Sequence, residues 1–149
     1  MGKRKIPGIG KSKGMQSEFI LFPAGKYLFE VISHKEVESK SGLGINHYFR
    51  FKCLDTFTDG CEALIGKTYF HRMYEMLPDA SSYEEYGHIF VDESKSLFDA
   101  TGYVIKADMV DYDELVGKTF VATVAQKDGQ DAEGNEKKEN SITKYEAEK

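Results

Sequence analysis

The stretch Ile45-Asn46-His47-Tyr48-Phe49-Arg50-Phe51-Lys52-Cys53-Leu54 alternates with a period of two. Successive side chains of a β-strand point to opposite faces, so His47, Phe49, Phe51 and Cys53 fall on one side and Asn46, Tyr48, Arg50 and Lys52 on the other. The first set makes a core face. The second is a basic face that carries a ring. Read alone, Arg50 and Lys52 do no more than keep an outer face soluble; the neighbouring segments give them company.

Upstream, Lys26 to Val37 (KYLFEVISHKEV) is rich in β-branched and aromatic residues, and Tyr27, Phe29 and Val31 recur with period two, which predicts another strand. Ser39-Lys40-Ser41-Gly42-Leu43-Gly44 between the two has turn chemistry, so they form a hairpin. Downstream, Lys67 to Tyr74 alternates Tyr69, His71 and Met73 against Thr68, Phe70, Arg72 and Tyr74 and reads as a third strand. After Met76-Leu77-Pro78 the pattern turns polar. Asp92 is placed to cap a short helix running through Leu97, Phe98 and Thr101, with Gly102 as its left-handed terminator. Tyr103 to Met109 reads as a short extended segment and Asp111 to Lys118 as a helical turn. Thr119 to Gln126 forms a fourth strand, residues 128–136 a polar hairpin loop and Ser141 to Glu146 a fifth strand. Five short strands with one brief helix between the third and fourth predict an all-β domain, a five-stranded oligonucleotide-binding (OB) barrel. A β-sandwich and an α+β roll are the alternatives.

The chain has 149 residues, enough for one core, and no apolar run near the roughly 18 residues that span a bilayer. The expected division is a flexible basic arm at residues 1–18 and a folded domain at residues 19–149. The arm begins MGKRKIPGIGKSKGMQ, with five basic residues and no acid. Its Gly8-Ile9-Gly10-Lys11-Ser12 matches only half of a phosphate-binding loop and has neither the preceding strand nor the following helix. No apolar stretch follows it, so no secretory signal is expected. Cys53 and Cys61 are too few for a disulfide framework.

Charge is segregated. The net charge is -5, yet residues 1–52 hold ten Lys or Arg against four acids, while residues 53–149 hold ten against twenty-one. Rings are abundant, with 10 Phe and 9 Tyr. A catalytic constellation is not expected. The carboxylates at Glu84-Glu85, Asp92-Glu93 and Asp111, Asp113, Glu114 read as loop or helix-start residues. Asp128, Asp131 and Glu133 lack calcium-loop spacing. His34, His47 and His71 can meet if the strands pair as drawn, and with Cys53 they offer a metal set, but ordinary sheet histidines are commoner, so neither metal nor cofactor is expected. What remains is binding. Single-stranded nucleic acid needs cations along its phosphates and flat rings under its bases. Lys26, Lys35, Lys40, Arg50, Lys52 and Arg72 supply the first, Tyr48, Phe70 and Tyr74 the second. A protein-protein module whose acidic half contacts a basic partner is the rival.

Pro23-Ala24-Gly25-Lys26-Tyr27, the Ser41-Gly42 turn, Tyr48-Phe49-Arg50-Phe51 and Leu115-Val116-Gly117-Lys118-Thr119 resemble a family of bacteriophage single-stranded-DNA-binding proteins, over roughly residues 20–146 in element order. The resemblance implies an OB fold and sequence-independent protection of single-stranded DNA in phage replication and recombination. It also implies residence in the bacterial cytoplasm, and replication or recombination proteins or a second copy as partners. One departure stands out: residues 141–149 carry two acids against two lysines, so a partner-recruiting acidic tail is not expected.

Overall fold

Every second side chain of the central strands is apolar, and the chain buries those positions against each other. Five strands result: β1 (Gly25–Glu38), β2 (Gly44–Thr56), β3 (Thr68–Met76), β4 (Thr119–Gln130) and β5 (Glu136–Glu146). They form one antiparallel sheet in the order β3-β2-β1-β4-β5. A single helix, α1 (Tyr83–Thr101), joins β3 to β4. The structure is a computed structural model and describes residues 2–11, 20–130 and 133–148. Of the basic arm, residues 1 and 12–18 lie outside the described residues; Ile9–Lys11 forms a 3-10 turn.

The inner face gathers Tyr27, Phe29 and Val31 from β1, Phe49, Phe51 and Cys53 from β2, Tyr69 and Met73 from β3, and Phe120, Ala122 and Val124 from β4. Phe90, Leu97 and Phe98 of α1 complete it. Nine of the aromatic side chains are buried here, so the core itself accounts for much of the unusual ring content. They pack edge-on and offset: Phe51 meets Phe120 at 4.9 Å and 81°, and Phe22 meets Tyr69 at 5.3 Å and 71°.

β1 changes phase within its length. Val31 faces Phe51 of β2, but the next pair is Ser33 with Arg50, so Ile32 is an extra residue in a β-bulge. Before the bulge, odd positions point inward. After it His34 points inward and Ser33 and Lys35 outward, the reverse of what a continued period of two gives. β1 also leaves β4 here: the ladder to β4 covers Gly25 to Glu30, and the last ties are Val31 N–H to the Lys118 carbonyl and Gly117 N–H to the Val31 carbonyl. Beyond the bulge β1 pairs with β2 alone.

The helix is longer than the sequence suggests. It runs from Tyr83, nine residues before Asp92, which therefore lies mid-helix and caps nothing. Its buried stripe is Gly87, Phe90, Ser94, Leu97 and Phe98, at helical spacing. Two stripe members are small or polar, and Ile89 and Val91 lie exposed off it, which hides the period from a reading of hydrophobicity. Glu84 and Glu85 do occupy the first turn, and Gly102 ends the helix at φ 80°. Residues 103–109 are not a strand: Ala107 and Asp108 take positive φ in a tight turn closed by an isolated Lys106–Met109 bridge. The expected helical turn is a 3-10 turn at Tyr112–Leu115, capped by the Asp111 carboxylate accepting from the Asp113 N–H.

Among the described residues no backbone ladder joins β3 to β5, so the sheet is open. Side chains span that seam instead. The Tyr145 hydroxyl of β5 donates to Glu93 of α1 at 2.5 Å and lies 3.2 Å from Nε2 of His71 on β3. Phe22 packs on Tyr69 while Asn140 of β5 clamps its backbone, accepting from its N–H at 2.7 Å and donating to its carbonyl at 2.8 Å.

Deleting Ile32 should close the bulge and leave its neighbours on their present faces, because Val31, Ser33, His34 and Lys35 then alternate with an unbroken period of two. The expected cost in urea unfolding is below about 2 kcal/mol, whereas deleting Ile32 and Ser33 together turns His34 out and Lys35 in and should cost above about 4 kcal/mol.

Candidate nucleic-acid interface

The outer faces of β1, β2 and β3 form rows across the sheet, set by strand register. Lys35, Tyr48 and Arg72 lie side by side, and Ser33, Arg50 and Phe70 make the next row. Glu30, Lys52 and Thr68 follow at one end, and Val37, Asn46 and Tyr74 at the other. Cations and rings therefore alternate both along and across the strands. The Arg50 guanidinium carbon sits 5.8 Å from the centre of the Phe70 ring, within cation-π range.

The middle rows line a concavity of about 630 Å³ bounded by Ser33, Lys35, Tyr48, Arg50, Phe70 and Arg72. Tyr48 and Phe70 keep 43% and 37% of their surface exposed. Among the described residues, Lys35, Arg50, Lys52 and Arg72 make no ion pair, whereas Lys95, Lys137, Lys138 and Lys144 all do. Exposed guanidinium and ammonium groups without carboxylate partners retain their donors for another anion.

Five of the nine candidate residues, Lys35, Tyr48, Arg50, Phe70 and Arg72, thus meet in one depression. Lys52 belongs to the same face, opposite Glu30. Tyr74 is on it too, lying over Gly44: a Cβ at Gly44 would sit 2.1 Å from its hydroxyl, so glycine makes room for the ring. Lys40 stands in the exposed turn beyond that row. Lys26 is not part of the arrangement. It lies nine residues from Lys35 along β1, roughly 30 Å in an extended strand, pairs across to Thr123 of β4, and is held by Glu146 at 3.1 Å.

A second concavity, about 460 Å³, shares Phe70, His71 and Arg72 and continues over the β3 edge to Lys127, Lys137 and Asn140 of the β4–β5 hairpin. Sequence reasoning missed these lysines because they stand far along the chain in its acidic part. It had no way to place Ser33 on the outer face either, since only the bulge puts it there.

On the inner face the histidines separate into two groups. His34 and His47 meet, Nε2 to Nδ1, at 2.9 Å, with Glu75 2.8 Å from Nε2 of His47 and Asp113 3.5 Å from Nδ1 of His34. Burial first, then the neighbouring His47, lowers the pKa of His34. His71 joins neither of them: it bonds Glu93 at 2.8 Å in the β3–β5 seam. Cys53 is six residues from His47 on β2, beside Asp55, and burial raises its thiol to about 11. Burial works to raise the pKa of Glu93 as well, but the His71 and Tyr145 hydrogen bonds prevail and hold it below the usual carboxylate value. Burial first, then the Glu93 charge, pushes Tyr145 well up, so its hydroxyl stays a donor.

No protein-family model matches the chain, and no curated protein matches it in sequence. No helix among the described residues is long and apolar enough to cross a membrane.

The depressed Glu93 pKa makes a testable statement about acid stability. A carboxylate whose folded pKa lies below its unfolded value of 4.5 stabilises fully above that pH and progressively less as the pH falls through the folded value. Urea midpoints taken from about pH 7 down to pH 3 should fall less steeply for Glu93→Gln than for the parent, from a lower starting stability.

Proposed function

We propose that this protein is a non-enzymatic, largely sequence-independent single-stranded-DNA-binding protein, and that the DNA lies across the outer face of β1, β2 and β3. The observation that carries the reading is the depression where Tyr48 and Phe70 stand exposed between Lys35, Arg50 and Arg72, cations with no ion pair among the described residues. Diagonal neighbours on adjacent strands are about 7–8 Å apart, so the two rings are spaced to take successive bases of an extended strand while the cations meet the phosphates on either side. Rings accept any base through its π-face, hence little sequence preference. The setting would be phage replication and recombination, which the sequence resemblance implies.

We also read the open sheet as an OB-type barrel. Support comes from the strand order β3-β2-β1-β4-β5, from the helix between β3 and β4, and from the Tyr145, His71 and Glu93 contacts across the seam where the barrel would close. In that arrangement the β1–β2 turn with Lys40 and the β4–β5 hairpin with Lys127 and Lys137 flank the binding face at its two ends. The second concavity then extends the path of the strand past Arg72.

Fluorescence anisotropy of a labelled oligothymidine tests the reading at two salt concentrations. Tyr48→Ala or Phe70→Ala should weaken binding roughly 5- to 150-fold, about 1–3 kcal/mol per lost stack, with little change in unfolding midpoint. Arg50→Ala or Arg72→Ala should lower the slope of log affinity against log salt by about 0.7 for each phosphate contact removed. Lys26→Ala, tied to Glu146 away from the depression, should change neither. Absence of binding at low salt defeats the proposal, and recovery of one stoichiometric protein partner from nuclease-treated extract would then favour the acidic-half interaction module.

A further inference from the structure

The inner-face histidine pair holds a chemical conflict that a cation would resolve. Glu75 is an acceptor, so the Nε2 of His47 that lies 2.8 Å away carries the proton, and Nδ1 of the neutral ring bears a lone pair aimed at His34. His34 then has two neutral forms. With its proton on Nε2 it donates to His47, but Nδ1 presents a lone pair to the Asp113 carboxylate at 3.5 Å. With its proton on Nδ1 it satisfies Asp113, and two lone pairs face each other at 2.9 Å. Each form carries one repulsion. An ion between Nε2 of His34 and Nδ1 of His47 removes both at once and leaves each outer N–H donating to a carboxylate, the support that metal-bound histidines commonly have.

A third ligand is at hand. The Oε1 of Glu36 lies 3.8 Å from Nδ1 of His47, and the ligand atoms of His34, Glu36 and His47 all lie within 4.8 Å of one another. The two imidazoles are 4% and 1% exposed and fixed by stacking: His34 on Tyr112, His47 on Phe90. The Glu36 side chain is half exposed and free to swing inward. A solvent-open cavity of about 250 Å³, lined by His34, Glu36, Asp111, Tyr112 and Asp113, reaches the His34 ring, and its lining contains acids but no Lys or Arg.

We propose that His34, His47 and Glu36 form a zinc site, with a water from this cavity completing a tetrahedron. Two nitrogens at the usual Zn–N distance near 2.0 Å stand roughly 3.3 Å apart in a tetrahedron, so the rings need to part by only a few tenths of an ångström. The nitrogen and carboxylate donors suit Zn²⁺ better than Mg²⁺ or Ca²⁺, which take all-oxygen sets. His34 and His47 directly precede Lys35 and Tyr48, so the ion would cross-link β1 to β2 on the face opposite the depression.

The test is calorimetric titration of the chelator-treated full chain with Zn²⁺, with Co²⁺ absorption as a report of tetrahedral geometry. One equivalent should bind and raise the melting temperature, and Co²⁺ should give the intense visible bands of a four-coordinate site. Glu36→Gln, at a half-exposed position, should weaken the affinity at least tenfold, and His34→Gln should abolish stoichiometric binding, while His71→Gln, in the seam, should leave both unchanged. The proposal is overturned if Zn²⁺ does not bind, if His34→Gln and Glu36→Gln bind as the parent does, or if His71→Gln is the variant that loses the ion.

Discussion

One surplus residue, Ile32, determines what each face of this sheet can do. The same residues in an unbroken ladder, with Ile32 paired like its neighbours, would present Tyr27, Phe29, Val31, Ser33 and Lys35 to one side, burying a lysine in an aromatic core and pushing a histidine into solvent. Burying an unpaired ammonium costs several kcal/mol, so that register is not available. The bulge reverses the alternation at the point where β1 parts from β4. Lys35 joins Tyr48 and Arg72 outside, His34 joins His47 inside, and the same kink bends the sheet. Both candidate sites thus descend from one local irregularity, on opposite sides of the same two strands.

The parts of the fold that were legible in sequence are those with an unbroken period. β3, and β2 from Asn46 to Cys53, alternate without interruption, so the facing of Tyr48, Arg50, Lys52, Phe70 and Arg72 follows from the chain alone. β1 was legible as a strand but not in phase, because the sequence KYLFEVISHKEV contains nothing that marks Ile32 as the unpaired member. The helix was legible at its end, where Gly102 stops it, and not at its beginning, where Gly87 and Ser94 stand in for apolar residues on the buried stripe. Long-range placement was out of reach altogether. Composition and strand position group Lys26 with the binding face, yet it sits on the half of β1 that pairs with β4, and Glu146 arrives from 120 residues away to pair with it.

The seam between β3 and β5 is held by a few specific contacts in place of a ladder. Backbone pairing would fix the two edges together, whereas the Tyr145–Glu93–His71 cluster and the Asn140 clamp on Phe22 hold them at two points. Unpaired edges template aggregation or domain exchange unless they are covered. Here α1 packs behind the gap and Phe22 fills one end with a ring. The arrangement leaves a concavity along the seam that a closed ladder would eliminate, and this is where Lys127 and Lys137 come beside Arg72.

The acidic excess does not oppose a polyanion on the outer face, because charge acts through distance and solvent. Glu36, Glu75, Asp111 and Asp113 gather around the inner-face histidines, with the sheet between them and the depression. The Debye length at physiological salt is about 8 Å, comparable to the thickness of a protein layer, so a phosphate lying on Arg50 and Arg72 feels those two guanidinium groups far more than carboxylates behind the strands. Counterion release likewise depends on the cations that touch phosphate and not on the total charge of the chain. Segregation has a second consequence. A uniformly basic surface adheres to any anion from any direction, whereas a molecule that is positive on one face and negative elsewhere is oriented by the field before contact is made. The acids therefore restrict where a strand can settle, and they concentrate cations on the side where His34 and His47 face each other.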